Sequence, residues 1–132
     1  LIFLATTPAF AEDAVTTFDP ARHSQAVTEC DRRAGHAEDP HKVTPGVSEG
    51  KIDLPAAIAA CRADLAKDAG NPRLKYQLGR VLSYAGQIDE ALPQLDGAAR
   101  LAYPQAQFVL GYLLLDGRLK APVDRCRALE LF

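Results

Sequence analysis

The sequence contains no methionine and no tryptophan, and its aromatics are five Phe and four Tyr in 132 residues. Charge of one sign is also missing, because the formal net charge is −2. A chain this near neutrality carries no field for nucleic acid or an anionic membrane surface. Several chemical signatures are absent too. No Cys-x-x-Cys or His-Glu-x-x-His spacing offers a metal site, and no Cys-x-x-Cys-His attaches haem. No Gly-x-Gly-x-x-Gly, Walker-type loop or Gly-x-Ser-x-Gly elbow occurs. These absences speak against a self-contained enzyme, and they name no cofactor and no metal.

What is present is ordinary globular material, with 48% apolar and 24% charged residues. Its length suits one domain. The longest uncharged apolar stretch is "LIFLATTPAFA" (1–11), too short to span a bilayer. It ends in Ala9-Phe10-Ala11 and is followed by Glu12 and Asp13. The pattern predicts the C-terminal part of a secretory signal peptide, cleaved after Ala11, with its basic region missing. Export, most simply to the periplasm, follows from that reading.

Residues 12–52 are polar and punctuated by Pro and Gly. Within them "ARHSQAVTECDRRAG" (21–35) predicts one helix, with Val27, Cys30 and Ala34 on one face. "HAEDPHKVTPGVSEGK" (36–51) predicts an ordered loop. From Asp53 the pattern becomes helical. Asp53 is a predicted N-cap, and Pro55 falls in the first turn, where a missing N–H costs little. Further helices are predicted over 72–86, 88–102 with Asp89 as cap, 104–117, and from Asp124 onward.

The helical part repeats. "AAIAAC" (56–61) returns as "EALPQL" (90–95) and "RALELF" (127–132), so Ile58, Leu92 and Leu129 are 34 and then 37 residues apart. "YQLGRVLSYAG" (76–86) returns as "FVLGYLLLDG" (108–117). Such a period denotes helix pairs that must stack to bury their apolar faces. Gly79 and Gly111 each cost about 1 kcal/mol within a helix. Their recurrence predicts a neighbouring helix in close approach, with Ala91, Ala98, Ala99 and Ala128 small for the same reason. Tyr76 and Phe108 are expected to pack between helices.

At these residues a family likeness emerges. "YQLGRVLSYAGQIDEAL" (76–92) resembles a tetratricopeptide motif. "AQFVLGYLLLDGRLKAPVDRCRALELF" (106–132) resembles its Sel-one-like variant, through Ala106, Leu110-Gly111, Gly117, Asp124 and Ala128-Leu129. The likeness spans 53–132 and ends on a last repeat cut short. One departure is Ala102, where the variant usually has Gly. "CDRRAGHAEDPHKVTPGV" (30–47) is similar to Cys-Asp-Arg segments that precede such repeats in exported proteins of alpha-proteobacteria. The resemblance implies an all-α fold, with antiparallel helix pairs stacked as an α-solenoid. It does not extend to cysteine-rich relatives with a Cys pair in every repeat, since neither of the repeated Leu-Gly helices here contains Cys.

Cys30 and Cys61 fall on the apolar faces of their predicted helices. In an exported protein they form a natural disulfide; two buried thiols are the alternative. Cys126 is left over, either paired elsewhere or buried. His23, His36 and His41 lie among Cys30, Asp31, Glu38 and Asp39 without a ligand spacing.

In tetratricopeptide-like arrays the first helix of each pair lines the concave side. That places Arg73, Gln77, Arg80 and Tyr84 on one face, with Gln105, Tyr112 and Asp116 in comparable positions on the next pair. Arg offers paired hydrogen bonds to carboxylates, and Tyr offers rigid contact area. The expected function is a protein- or peptide-binding scaffold of the cell envelope, with no nucleic-acid partner and no membrane span in the mature chain. A second reading makes the segment the non-catalytic front of a larger exported enzyme, such as a peptidase. A third is a small hydrolase built from the His, Cys and acidic residues of 23–41.

Overall fold

The computed structural model describes residues 17–132. The signal-peptide expectation at 1–11 lies outside the described residues. The fold is all-α, and six helices pack on one another in sequence. They are α1 (Glu29–Ala34), α2 (Leu54–Lys67), α3 (Pro72–Tyr84), α4 (Ile88–Arg100), α5 (Pro104–Asp116) and α6 (Arg125–Leu131). Short 3-10 turns occupy Pro20–Arg22, Glu49–Lys51 and Arg118–Lys120. No strand occurs among the described residues.

The helix boundaries follow local chemistry. The Asp53 carboxylate accepts from the Ala56 N–H at 3.2 Å, and Asn71 accepts from Arg73 N–H at 3.1 Å. Asp124 accepts from Arg127 N–H at 3.0 Å. Pro55, Pro72 and Pro104 sit in first turns, where no donor is lost. Asp89 is not the cap of α4. Gln87 holds that position without a side-chain bond, and Asp89 lies in the first turn.

The single helix expected over 21–35 is a correction. Residues 24–28 are not helical, and α1 begins only at Glu29. The cause is a capping box. Thr28 Oγ1 accepts from Asp31 N–H, and the Asp31 carboxylate accepts from Thr28 N–H at 2.8 Å. Val27, expected on the buried face, is 44% exposed.

Two apolar clusters hold the helices. One joins Cys30, Ala34, Ile58, Cys61, Leu74, Leu78 and Leu82; the other joins Tyr76, Leu95, Ala98, Tyr103, Ala106 and Leu110. Helix α3 serves both, and each large apolar side chain so buried contributes about 1.5–3 kcal/mol.

One kind of contact occurs twice. A Cβ added at Gly79 of α3 would lie 2.7 Å from Leu95 Cγ and Cδ2 of α4. A Cβ added at Gly111 of α5 would lie 2.7 Å from Phe132 Cε1. Leu95 and Phe132 are the same position of the repeated phrase, and its first copy is Cys61. Cys61 is bonded to Cys30 of α1, with S–S 2.05 Å and a sequence separation of 31. The disulfide thus stands where the later pairs set glycine against a large side chain.

The two glycines differ in what an added methyl would displace. Leu95 is fully buried, whereas Phe132 is 58% exposed and free to swing outward. Gly79→Ala should therefore overpack the core and cost about 1–3 kcal/mol, less the ~1 kcal/mol gained in helix propensity. Gly111→Ala should be neutral or stabilising by up to ~1 kcal/mol. Urea midpoints of the two variants check this difference.

Helix α4 ends in a Schellman motif. Tyr103 N–H donates to Ala98 O at 3.1 Å, and Ala102 N–H to Ala99 O at 2.9 Å. Ala102 accordingly takes φ +60°, the left-handed region that glycine enters without strain. This is the position where the resembled variant usually has Gly.

Candidate functional site

The candidate recognition face on α3 is buried beneath the chain's own N-terminal segment. Arg73, Gln77 and Arg80 are only 2%, 1% and 4% exposed. Their expected role of meeting a partner does not fit this arrangement, because their donors are spent within the chain.

Arg73 donates to the Asp31 carboxylate from Nε at 2.8 Å and from Nη2 at 3.2 Å. It also reaches the carbonyls of Ser24 at 2.9 Å and Ala26 at 3.3 Å. Gln77 Nε2 donates to Asp31 at 3.0 Å and lies 3.3 Å from Cys30 Sγ. Arg80 donates to the carbonyls of Ala34 (3.2 Å), Gly35 (3.1 Å) and Val47 (3.1 Å). Its Nε donates to the Tyr84 hydroxyl at 3.3 Å, and its guanidinium lies 5.2 Å from the Tyr84 ring centroid. The Arg80 bonds thus go to neutral oxygens, three of them main-chain carbonyls: Ala34 at the end of α1, and Gly35 and Val47 in the irregular chain after it.

The physical reason is that segments 24–28 and 35–47 are not helical. Their carbonyls lack helical partners and must be satisfied once buried. Arginines on α3 supply that need, since one guanidinium presents five donors in a planar fork. Among the described residues no buried side-chain polar atom is left without a partner.

The acidic and imidazole groups of the N-terminal segment have structural partners. Asp31 is fully buried. Burial pushes its pKa up, but the Arg73 and Thr28 hydrogen bonds outweigh this and hold it below 3.8. Asp39 is fully buried and accepts from the Tyr103 hydroxyl. His36 Nδ1 lies 2.8 Å from the Tyr76 hydroxyl. Burial, and then the Arg80 charge, hold the His36 pKa below 6.5. Burial also pushes the Tyr76 and Tyr103 phenols up. Phe18 packs edge-on to Tyr103 and to His41.

These shifts set a pH dependence. The native state disfavours protonated His36, so stability is whole above pH 6.5 and falls as pH drops toward the lower folded value. A second loss begins below pH 3.8, as Asp31 takes up a proton and its pairing with Arg73 fails. The urea midpoint should decline between pH 7.5 and pH 5, and His36→Gln should flatten that part of the profile.

The second pair presents a different surface. Gln105 is buried at 8% exposure, while Tyr112 is 39% and Phe108 50% exposed. Phe108, expected between helices, is thus open, unlike the fully buried Tyr76. Phe108 and Tyr112 meet edge to face at 4.8 Å, and Phe132 meets Tyr112 at 5.4 Å. Asp116 accepts from Arg118 Nε at 3.4 Å. A cavity of about 330 Å3 is lined by Phe108, Val109, Tyr112, Leu113 and Arg118.

Asp31, the anchor of the covering segment, was not singled out from the sequence, although the Thr28-x-x-Asp31 spacing of a capping box is visible there. Arg118 carries no comparable signal. Cys126 is a free, exposed thiol rather than a core residue. Comparison with protein-family models, curated proteins and solved structures finds no match to this chain.

Proposed function

We propose that this chain is a protein- or peptide-binding scaffold of the cell envelope, built from stacked helix pairs of the Sel-one-like or tetratricopeptide-like kind. The observation that carries the reading is the α3 face. Its Arg73, Gln77 and Arg80 already hold the chain's own N-terminal segment, taking carbonyls of Ser24, Ala26, Gly35 and Val47 from irregular chain, and the Ala34 carbonyl and Asp31 carboxylate from α1. A helix face that receives main chain in this way is chemically suited to peptide.

Export agrees with the fully buried Cys30–Cys61 disulfide, since disulfides persist in oxidising compartments. Among the described residues no helix is long and apolar enough to cross a membrane. The signal-like pattern at 1–11 points the same way. The stacked solenoid is supported by the matching close contacts of Leu95 with Gly79 and of Phe132 with Gly111.

Selection of a random 12-residue phage-displayed peptide library on the whole oxidised chain tests the function. Peptides should enrich on the folded protein and not on the same chain reduced and unfolded in urea. A library that enriches nothing on the folded chain refutes the proposal.

A further inference from the structure

We infer that Tyr112 and Arg118 form a second main-chain clamp, which takes an extended, irregular segment of a partner protein carrying one large apolar side chain. The inference rests on the peptide-binding reading and names the site and the partner's chemistry.

The internal repeat supplies the first support. Tyr76, Gly79 and Arg80 of α3 correspond to Phe108, Gly111 and Tyr112 of α5, each 32 residues on. On α3 this face is covered by the end of α1 and the irregular chain that follows it. Of the three positions on α5, Phe108 and Tyr112 are exposed, and only Gly111 is buried.

The second support is a shared side-chain unit. Arg80 lies 5.2 Å from the Tyr84 ring centroid while its guanidinium holds three main-chain carbonyls. Arg118 lies 5.5 Å from the Tyr112 ring centroid in the same kind of stack. Among the described residues the exposed Arg118 makes one hydrogen bond, from Nε, which leaves both terminal nitrogens to donate to carbonyls. The stack pre-orients the guanidinium plane, which lowers the ordering cost of binding.

Continuity is the third support. The covering segment extends to Tyr103, the residue before α5, through Phe18 and Asp39. The α5 face therefore continues an interface that this chain already forms with irregular polypeptide. A helical partner would bring carbonyls already bonded within itself. An extended one brings free carbonyls for Arg118 and a side chain for the cavity of about 330 Å3 beside the Phe108 and Tyr112 rings.

Peptides recovered from the 12-residue library, made synthetically and labelled, provide the probe in fluorescence anisotropy. They should share one large apolar residue within a stretch poor in helix formers. Tyr112→Ala and Arg118→Gln should each weaken binding about tenfold or more. Arg118→Gln should leave the urea midpoint unchanged, and Tyr112→Ala, which loses packing on Phe108 and Phe132, should lower it only slightly. Arg118→Lys should not restore it, because an ammonium cannot fork to two carbonyls. Arg62→Gln, on the exposed face of α2, should have no effect.

Peptides that bind equally well to the Tyr112 and Arg118 variants overturn the clamp and leave the peptide-binding reading intact. An empty selection overturns both. Sedimentation showing a dimer dispersed by Phe132→Glu overturns the clamp in favour of a second copy on this face.

Discussion

Replacing Cys30 and Cys61 together by alanine lowers the unfolding free energy by about 3–4 kcal/mol, the chain-entropy value for cross-linking residues 31 apart. Most small domains have only about 5–15 kcal/mol in total, so the urea midpoint should shift far. The loss should be uneven along the chain. α1 has only six residues and cannot persist as an isolated helix. Without its covalent tie to α2, amides of the covering segment such as Cys30 N–H, which donates to Asp64 at 2.8 Å, should exchange first. Both sulfurs are fully buried, so dithiothreitol under native conditions should reduce the bond slowly, and only through opening of the fold. Hydrogen exchange by mass spectrometry checks the order of opening. Uniform exchange across α1 and α3 in the alanine variant would show that the disulfide does not anchor this segment.

Asp31→Ala is expected to cost about 3–5 kcal/mol, because it leaves the Arg73 guanidinium buried without its counter-charge. About 1 kcal/mol of that is the lost capping box of α1. Arg73→Met alone strands the opposite charge and should be comparably damaging. The double variant should cost clearly less than the sum of the two, since neither charge is then left unpaired. A double-mutant cycle by urea denaturation at pH 7 measures the coupling. Single-variant costs below ~1 kcal/mol would mean that the covering segment does not lie on α3 in solution.

Together these expectations recast the α3 face. A variant such as Arg80→Ala would strip the donors from Ala34, Gly35 and Val47 carbonyls, so its first effect is on the segment that covers α3. Loss of a partner in that variant would not locate a binding surface. Tyr112 and Arg118 permit a cleaner test, because both are exposed.

The all-α character and most limits of the longer helices were legible in the sequence, because each rests on local chemistry. Asp53, Asn71 and Asp124 cap their helices by short-range bonds that residue type predicts. The close approach at Gly79 and Gly111 was legible from recurrence, since only tertiary contact justifies two helical glycines at matched positions. The pairing of Cys30 with Cys61 was one of two open choices, and the structure shows the bond.

The long helix expected over 21–35 failed for a reason that competes locally with the apolar pattern. Val27, Cys30 and Ala34 have helical spacing, but Thr28 and Asp31 satisfy each other's backbone donors and start the helix about two turns late. The exposed or covered state of the α3 face was not local at all. Arg73, Gln77 and Arg80 have the spacing of a polar, solvent-facing stripe, and sequence periodicity gives such a stripe no other meaning. Their burial depends on carbonyls contributed from 33 to 49 positions away.

By itself, then, the sequence determined that the chain is all-α, where most of its longer helices start, and which of their faces are apolar. These follow from backbone hydrogen bonding and side-chain size within a few residues. Only the tertiary structure decided that the polar face of α3 is closed by the chain's own N-terminal segment while Phe108 and Tyr112 of α5 stay exposed. That choice depends on which buried carbonyls lack partners, and a carbonyl's partner is fixed by the path of the whole chain.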